Sequence, residues 1–340
     1  MFMKNIFNYS KEMLENVLIA NGFKKFMASQ VFDWIYQKKI YDIDLFSNIN
    51  ISNRQYLKDT YSLDFIKLEK VEEDVDVKKF LFRLLDGQKI EAVLMYHDYG
   101  TSICVSSQVG CNMGCKFCES GRLKKVRNLE TYEMVEQIIL VEEIAKTKIN
   151  SVVIMGIGEP FDNYENVMNF IKIINDPKTM AIGARHITVS TCGIVPKIKE
   201  FAECGLQINL AISLHAPNDE IRKKIMPIAN AYPLSELISV LKDYIAKTNR
   251  RVTLEYVMLE GINDSVSCAH ELSDLIRGMN VYVNLIAYNE TNNIQFKASS
   301  KEVIDEFFNT LKKRGIEVTV RRKFGTKISA ACGQLRSKEM

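Results

Sequence analysis

The sequence predicts an α/β protein: an open or partial barrel of (β/α)6 type, with a small N-terminal helical domain and a β-hairpin extension. Three observations carry this. From residue 101, candidate strands at 102–106, 151–156, 186–191, 206–214, 252–259, 281–288 and 316–322 alternate with helical patterns, and repeated βα units of this size imply parallel strands with helices outside. About six units fit before residue 300, fewer than a closed eight-stranded barrel needs. Residues 10–60 read as helical and residues 63–98 as paired strands. The expected division is a helical accessory domain over 1–60 that contacts RNA, a hairpin linker over 61–97, the barrel over 98–326 and a C-terminal tail over 327–340.

In chain order, Ser10 can cap a helix carrying Met13, Leu14, Val17 and Leu18 on one face. A second helix is expected over 28–38, with Val31, Phe32, Trp34 and Ile35 inward; Lys24, Lys25, Lys38, Lys39 and Arg54 lie around these helices and suit a solvated surface. Residues 81–84 and 90–95, joined by Asp86-Gly87-Gln88, read as a hairpin with Glu91 facing solvent. Residues 131–147 put Met134, Ile138, Val141 and Ala145 on one helical stripe.

Composition sets bounds. Lys and Arg number 45 against 42 Asp and Glu, and the resulting charge of +3 does not argue for nucleic acid by itself. No run of about 18 apolar residues suggests a membrane span. Met1-Phe2-Met3-Lys4-Asn5 lacks the apolar run of a signal peptide. Eight cysteines in so long a chain, three of them clustered, do not read as a disulfide framework. A reducing cytoplasm is expected, where cysteines bind metal or react.

The clustered three are Cys111, Cys115 and Cys118 in Cys111-Asn112-Met113-Gly114-Cys115-Lys116-Phe117-Cys118. Thiolates suit iron–sulfur clusters and zinc. A closed structural zinc site wants four ligands, and no fourth Cys or His adjoins the stretch; the nearest are Cys104 and His97 upstream and His186 downstream. Three thiolates on a four-iron cluster leave one iron open to chelate a small molecule. The C-x3-C-x2-C spacing resembles that of the radical S-adenosylmethionine (SAM) enzymes, in which the open iron binds the amino and carboxylate groups of SAM. A zinc knuckle with a distant fourth ligand is the alternative.

In barrels of this kind, sites gather at the C-terminal ends of the strands. There the chain reads Met155-Gly156-Ile157-Gly158-Glu159-Pro160, Ser190-Thr191-Cys192-Gly193, Ser213-Leu214-His215-Ala216-Pro217 and Tyr288-Asn289. The glycines let backbone approach a ligand, and the Glu159 carboxylate can receive an ammonium. One such end is ordinary turn chemistry; four at one barrel mouth make a pocket. His97, His186 and His270 read as structural, His215 as part of the pocket. Cys104 falls on the first barrel strand. Cys332 sits in Ala330-Ala331-Cys332-Gly333-Gln334-Leu335, downstream of Arg321, Arg322, Lys323 and Lys327, which favour a thiolate if close in space. Cys204 and Cys268 read as small core residues and Cys192 as a pocket wall.

Four stretches resemble the RlmN/Cfr family of radical SAM RNA methyltransferases: Val105-Ser106-Ser107-Gln108-Val109-Gly110-Cys111, Met155 through Pro160, Ser213-Leu214-His215-Ala216-Pro217-Asn218-Asp219, and Ala330 through Leu335. The likeness extends to residues 26–36, so it spans nearly the whole chain. Thr191-Cys192-Gly193-Ile194-Val195-Pro196 and the N-terminal stretch look more like the RlmN branch. The resemblance implies a radical SAM core barrel, one [4Fe-4S] cluster on Cys111, Cys115 and Cys118, and two SAM per turnover. It implies SAM contacts at Gly158, Glu159, Ser190, Ser213, Leu214, His215 and Asn289, and a proton acceptor at Glu91. Its substrate would be an adenosine in the peptidyl-transferase region of 23S rRNA, methylated at C2 by RlmN members, some of which also act on tRNA, and at C8 by Cfr. Cys332 would take a methyl from one SAM. A 5′-deoxyadenosyl radical from the second would remove a hydrogen from it, and the methylene radical would add to the ring. Cys104 would then free the product through a transient disulfide with Cys332. A flavodoxin or ferredoxin as electron donor, a monomeric state and a cytoplasmic location complete the expectation.

The sequence departs from the family pattern in three places. Glu119-Ser120-Gly121-Arg122 follow Cys118 where small residues and Thr are common, Thr326-Lys327-Ile328-Ser329 stand where an Asp is common, and Ala287 replaces a usual Pro. The target carbon and the RNA stay open between C2, C8 and a paralogue's other target. Arg122, Lys124, Lys125, Arg127, Arg222, Lys223, Lys224, Arg250 and Arg251 would hold phosphates if they ring the site mouth, and are otherwise solvated surface. A cluster-bearing RNA-binding sensor without turnover is the reading from another class; it needs neither Cys104 nor Cys332.

Overall fold

The computed structural model describes residues 3–290, 295–321, 328 and 333–335. The chain opens on β1 (Lys4–Asn5), which pairs in parallel with β2 (Tyr61–Ser62) and brackets α1 (Lys11–Ala20), α2 (Phe26–Phe32) and α3 (Ile51–Thr60). Ser10 Oγ accepts the Met13 amide at 3.2 Å, satisfying one of the unpaired donors that begin a helix. The helix expected over 28–38 starts earlier, at Phe26, and passes after Phe32 into a π-helical turn, Asp33–Gln37. The wider turn departs from the 3.6-residue period, and Trp34, Ile35 and Tyr36 are all buried in succession.

This region is fastened to the barrel by a buried carboxylate. Glu136 accepts Asn5 Nδ2 at 3.1 Å and the Ile66 amide at 2.9 Å. It is fully buried, and that burial pushes its pKa up.

β3 (Lys67–Asp74), β4 (Val77–Arg83), β5 (Lys89–His97) and β6 (Gly100–Cys104) are antiparallel in sequence. The expected hairpin is the β4–β5 pair, whose strands run further at the open end. A two-rung antiparallel ribbon, β7 (Gln108–Val109) with β8 (Arg127–Asn128), follows. β6 also begins the parallel part, which continues through β9 (Ser151–Ile154), β10 (Ile187–Thr191), β11 (Asn209–Ser213), β12 (Val252–Met258), β13 (Val281–Ala287) and β14 (Val318–Val320). The sheet has ten strands in the order β14-β13-β12-β11-β10-β9-β6-β5-β4-β3 and is open, as the sequence predicts.

The connecting helices are α4 (Thr131–Ala145), α5 (Tyr164–Asn175), α6 (Val195–Phe201), α7 (Asp219–Ile225), α8 (Leu234–Thr248), α9 (Val266–Leu275) and α10 (Lys301–Lys313). Met134, Ile138 and Val141 of α4 are fully buried, as their stripe requires. Period-two alternation divides each strand between two environments. Ile187 and Val189 of β10 join the main core. Ser190, between them and the strand end, faces the interior cavity. The same alternation contradicts one expectation. Glu91 is not solvent-facing: it is 3% exposed, on the inward face of β5 with Val93 and Met95.

Candidate active site

The cysteine loop is closed at its two ends by the β7–β8 ribbon, through Gln108↔Asn128 and Val109↔Arg127. Gly110, at φ +73°, allows the closure, because a Cβ there would collide with the Lys124 carbonyl. The Lys116 amide donates to Ile225 O at 2.9 Å and pins the far side of the loop to α7. Cys111, Cys115 and Cys118 line one cavity. Burial pushes the Cys111 thiol up to about 12 and Cys115 well above its usual value, and each is raised further by the neighbouring thiols. The three sulfurs are therefore within electrostatic reach of one another.

The same cavity is walled by Gly158, Glu159, Ser190, Cys192, Ser213, His215 and Asn289. Leu214 is the exception among the expected contacts: its side chain is fully buried in the core, so only its backbone is near the mouth. The glycines, which line the cavity, also do something further. A Cβ at Gly156 would strike the Val105 backbone, and one at Gly158 would strike Gln108, so both let two chain segments touch.

Glu159 is 4% exposed. One oxygen accepts the Phe161 amide at 3.0 Å and the other the Cys192 amide at 2.8 Å, which holds the carboxylate plane still while leaving lone pairs over. Burial raises its pKa, opposed by those amide bonds. Glu159→Gln should weaken SAM binding about ten- to a hundredfold by calorimetry, since a charge-assisted bond contributes roughly 1.5–3 kcal/mol. An unchanged dissociation constant would leave Glu159 as a turn cap only.

His215 has a left-handed backbone, φ +56°. Its Nδ1 accepts the Val257 amide at 3.0 Å, so the proton sits on Nε2. Burial, with the nearby Arg222 charge, lowers its pKa to about 3. Between about pH 6.5 and 3 the unfolded chain takes a proton that the native state refuses, so stability falls with falling pH, by up to roughly 4–5 kcal/mol. His215→Asn, which tolerates the left-handed backbone, should flatten that slope in urea unfolding across pH 4–7; an identical slope would show that His215 is not its source.

The inward face of the antiparallel strands forms a second set. Val93 stands opposite Cys104 in the β5–β6 register. Glu91 is two residues before Val93, hence on the same face. Lys79 Nζ lies 3.3 Å from Glu91 Oε1 and 2.8 Å from Glu72 Oε2. Cys104 packs in one cluster with Val77, Val93, Met95, Ile157 and Leu335. The described piece of the tail joins the two sets: Gly333 O accepts the Glu119 amide and Leu335 O accepts Ser120 Oγ, both at 2.8 Å, and Gly333 also lines the cavity. Cys332, like most of the tail, lies outside the described residues.

A model of the radical SAM superfamily matches residues 105–267, and one of the ribosomal RNA large subunit methyltransferase N-terminal domain matches 4–63. A Spiroplasma citri protein named probable dual-specificity RNA methyltransferase RlmN is 53% identical, over 99% of this chain and 98% of its own. An Enterococcus faecalis protein of the same name is 50% identical, over 99% and 97%. The crystal structure of a radical SAM methyltransferase from Sphaerobacter thermophilus superposes with a TM-score of 0.92 at 41% identity, over 98% of this chain and 99% of that one. The chain belongs to the RlmN family of radical SAM RNA methyltransferases.

The radical SAM family brings a [4Fe-4S] cluster and SAM, and the donor set fits them: three thiols around one cavity, with a buried carboxylate and a neutral Nε2 donor beside them. A closed zinc site would want a fourth ligand beside the three thiols. Several RlmN-type residues acquire roles the sequence did not give them. Ser106 Oγ donates to Glu91 O at 2.6 Å and accepts the Ile157 amide at 3.0 Å, tying β5 to the Glu159 loop. Gln108 Oε1 accepts the Glu159 amide at 2.9 Å. Glu255, a lone acid inside an apolar strand, lines the cavity and is bonded by Asn284 at 2.8 Å; that misplaced polarity was its only signal.

The basic set is corrected in part. Arg222 is fully buried. Arg127 is held by Glu133 and Asp86, Lys125 by Asp162, Arg122 by Glu119, Lys224 by Glu220 and Arg251 by Glu317. Lys124 and Lys223 stand exposed.

Proposed function

We propose that this chain methylates C2 of an adenine in 23S rRNA, and in tRNA, through a methyl carried on Cys332. Identity of about half over almost the full length to relatives named dual-specificity RNA methyltransferase RlmN carries the reading, and it favours C2 over the C8 of Cfr. Cys111, Cys115 and Cys118 would hold the cluster, which when bound supplies the electron that splits SAM. Glu159, Ser190, Ser213, His215, Asn289 and the backbone of Gly158 and Leu214 would orient SAM, His215 as a fixed donor at all physiological pH. Cys332 would present its methyl for hydrogen removal and then join the ring, Glu91 would accept the ring proton, and Cys104 would take Cys332 into a disulfide and release the product. The tail contacts support this order, since Glu119 and Ser120 tie Gly333 and Leu335 to the cysteine loop, and Leu335 packs in the Cys104 patch. Two SAM would be used per turnover, with the electron from a flavodoxin or ferredoxin. We place the enzyme as a monomer in the cytoplasm; among the described residues no helix is long and apolar enough to cross a membrane.

Mass mapping of 23S rRNA and tRNA from a strain lacking the gene tests the reading. A methyl lost from one adenine of each, restored by the wild-type gene and located at C2, is expected. Loss at C8, or from neither RNA, would overturn it.

A further inference from the structure

Arg222 stands where the sequence suggests a phosphate ligand, yet no phosphate can reach it. Its guanidinium is 0% exposed. It donates to Cys192 O at 2.7 Å, Leu214 O at 3.2 Å and Tyr232 O at 3.3 Å. All three partners are neutral carbonyls, and among the described residues no carboxylate lies within ion-pair distance of it. The Asp219 carboxylate on α7 acts on it through space, with one oxygen occupied by the Leu234 amide at 2.9 Å.

A buried cation held only by neutral carbonyls, with a carboxylate acting on it from a distance, is costly in a protein interior. Something further in the functioning molecule would offset that cost. Residue position points to what. Arg222 lies one turn before Ile225, whose carbonyl pins the cysteine loop through Lys116. It grips the carbonyl of Cys192, which walls the cavity of the three thiols. It does not itself line the cavity, so it touches neither SAM nor iron.

We propose that Arg222 is the counter-ion built in for the iron–sulfur cluster, acting through space from behind the cysteine loop. Three thiolates on a doubly positive four-iron core leave one net negative charge, and reduction adds a second. A fixed cation favours the more negative state, so Arg222 raises the reduction potential and strengthens cluster retention. The inference rests on Cys111, Cys115 and Cys118 holding the cluster. It assigns Arg222 a positioning role in the electrostatics of the site, separate from RNA or SAM binding.

The test compares wild type, Arg222→Lys and Arg222→Gln, each reconstituted anaerobically and titrated by spectroelectrochemistry. Arg222→Gln should have a more negative midpoint, by at least the equivalent of tenfold in the reduction equilibrium, about 59 mV for one electron. Arg222→Lys, which keeps charge but not the three-carbonyl fork, should stay closer to wild type. A midpoint for Arg222→Gln equal to wild type, or equal shifts in both variants, would overturn the proposal. Thermal unfolding of each protein without and with cluster gives a second reading that needs no electrode. The neutral variant should lose little stability without the cluster and should gain less than wild type on loading. If Arg222→Gln fails to fold even without cluster, the guanidinium is a structural tie and the proposal falls. Wild-type protein that takes up no iron would instead refute the cysteine assignment, a separate result.

Discussion

Protein carrying Cys104→Ala should accumulate RNA covalently bound through Cys332, while Cys332→Ala should bind RNA and form no adduct. The asymmetry follows from the order of bond making and breaking. With Cys104 replaced, the methyl still loads and the carbon still joins the ring, but no thiol remains to take Cys332 into a disulfide. The adduct should appear as a band shift that survives denaturation and disappears with nuclease. Cys332→Ala should lose both RNA methylation and the added methyl mass on its own peptide. The double variant should show neither methylation nor adduct. Cys104 is 7% exposed in an apolar patch, so alanine there removes a sulfur and costs about 1 kcal/mol or a little more, too little to explain a lost reaction by unfolding. Normal methylation by Cys104→Ala would refute its release role, and normal methylation by Cys332→Ala would refute the whole scheme.

The parallel strands and the cavity residues at their ends were legible because β-branched runs and turn residues follow local rules. Ser190 and Ser213 could be placed at the barrel mouth because they fall at the ends of strands. Glu91 was misread because alternation says which residues share a face and not which face is covered; Val93 and Met95 of the same face pack with Ile157 and Leu335, both distant in sequence. Arg222 was misread for a related reason. A basic residue in Glu220-Ile221-Arg222-Lys223-Lys224 looks like its neighbours in a charged helix, and only the packing of α7 against Leu214 and Cys192 turns it inward. The extra turn at Asp33–Gln37 left no local mark, since its residues fit an ordinary helix equally well. At Ser120 the departure keeps a hydroxyl, which holds the tail through Leu335 O; the Glu119 contact with Gly333 is made by the backbone amide and leaves the Glu side chain unexplained.

Replacing any one of Cys111, Cys115 or Cys118 by Ala should abolish both cluster assembly and reductive cleavage of SAM. Three thiolates are the minimum that leaves one iron free, and a site with two cannot hold the cluster through reduction. Iron and sulfide analysis with SAM-cleavage assays after anaerobic reconstitution checks this. Because burial pushes the Cys111 thiol up to about 12 and the Cys115 thiol well above its usual value, assembly must expel protons, and loading should improve as pH rises from 6 to 8.5. Stoichiometric zinc in place of iron in anaerobically prepared protein would refute the assignment.

The β5–β6–β9 stretch of the sheet has a geometric consequence. Glu91, Cys104 and the loop bearing Glu159 belong to three successive strands joined by one hydrogen-bonded ladder. Neighbouring strands sit about 4.8 Å apart and cannot drift relative to one another without breaking rungs, so the ladder works as a ruler. It fixes the separation of Glu91, Cys104 and the Glu159 loop. Altering which nucleotide is accepted should then be a matter of the surfaces around the mouth, while insertions within the ladder would change the spacing itself and stop turnover for every RNA alike.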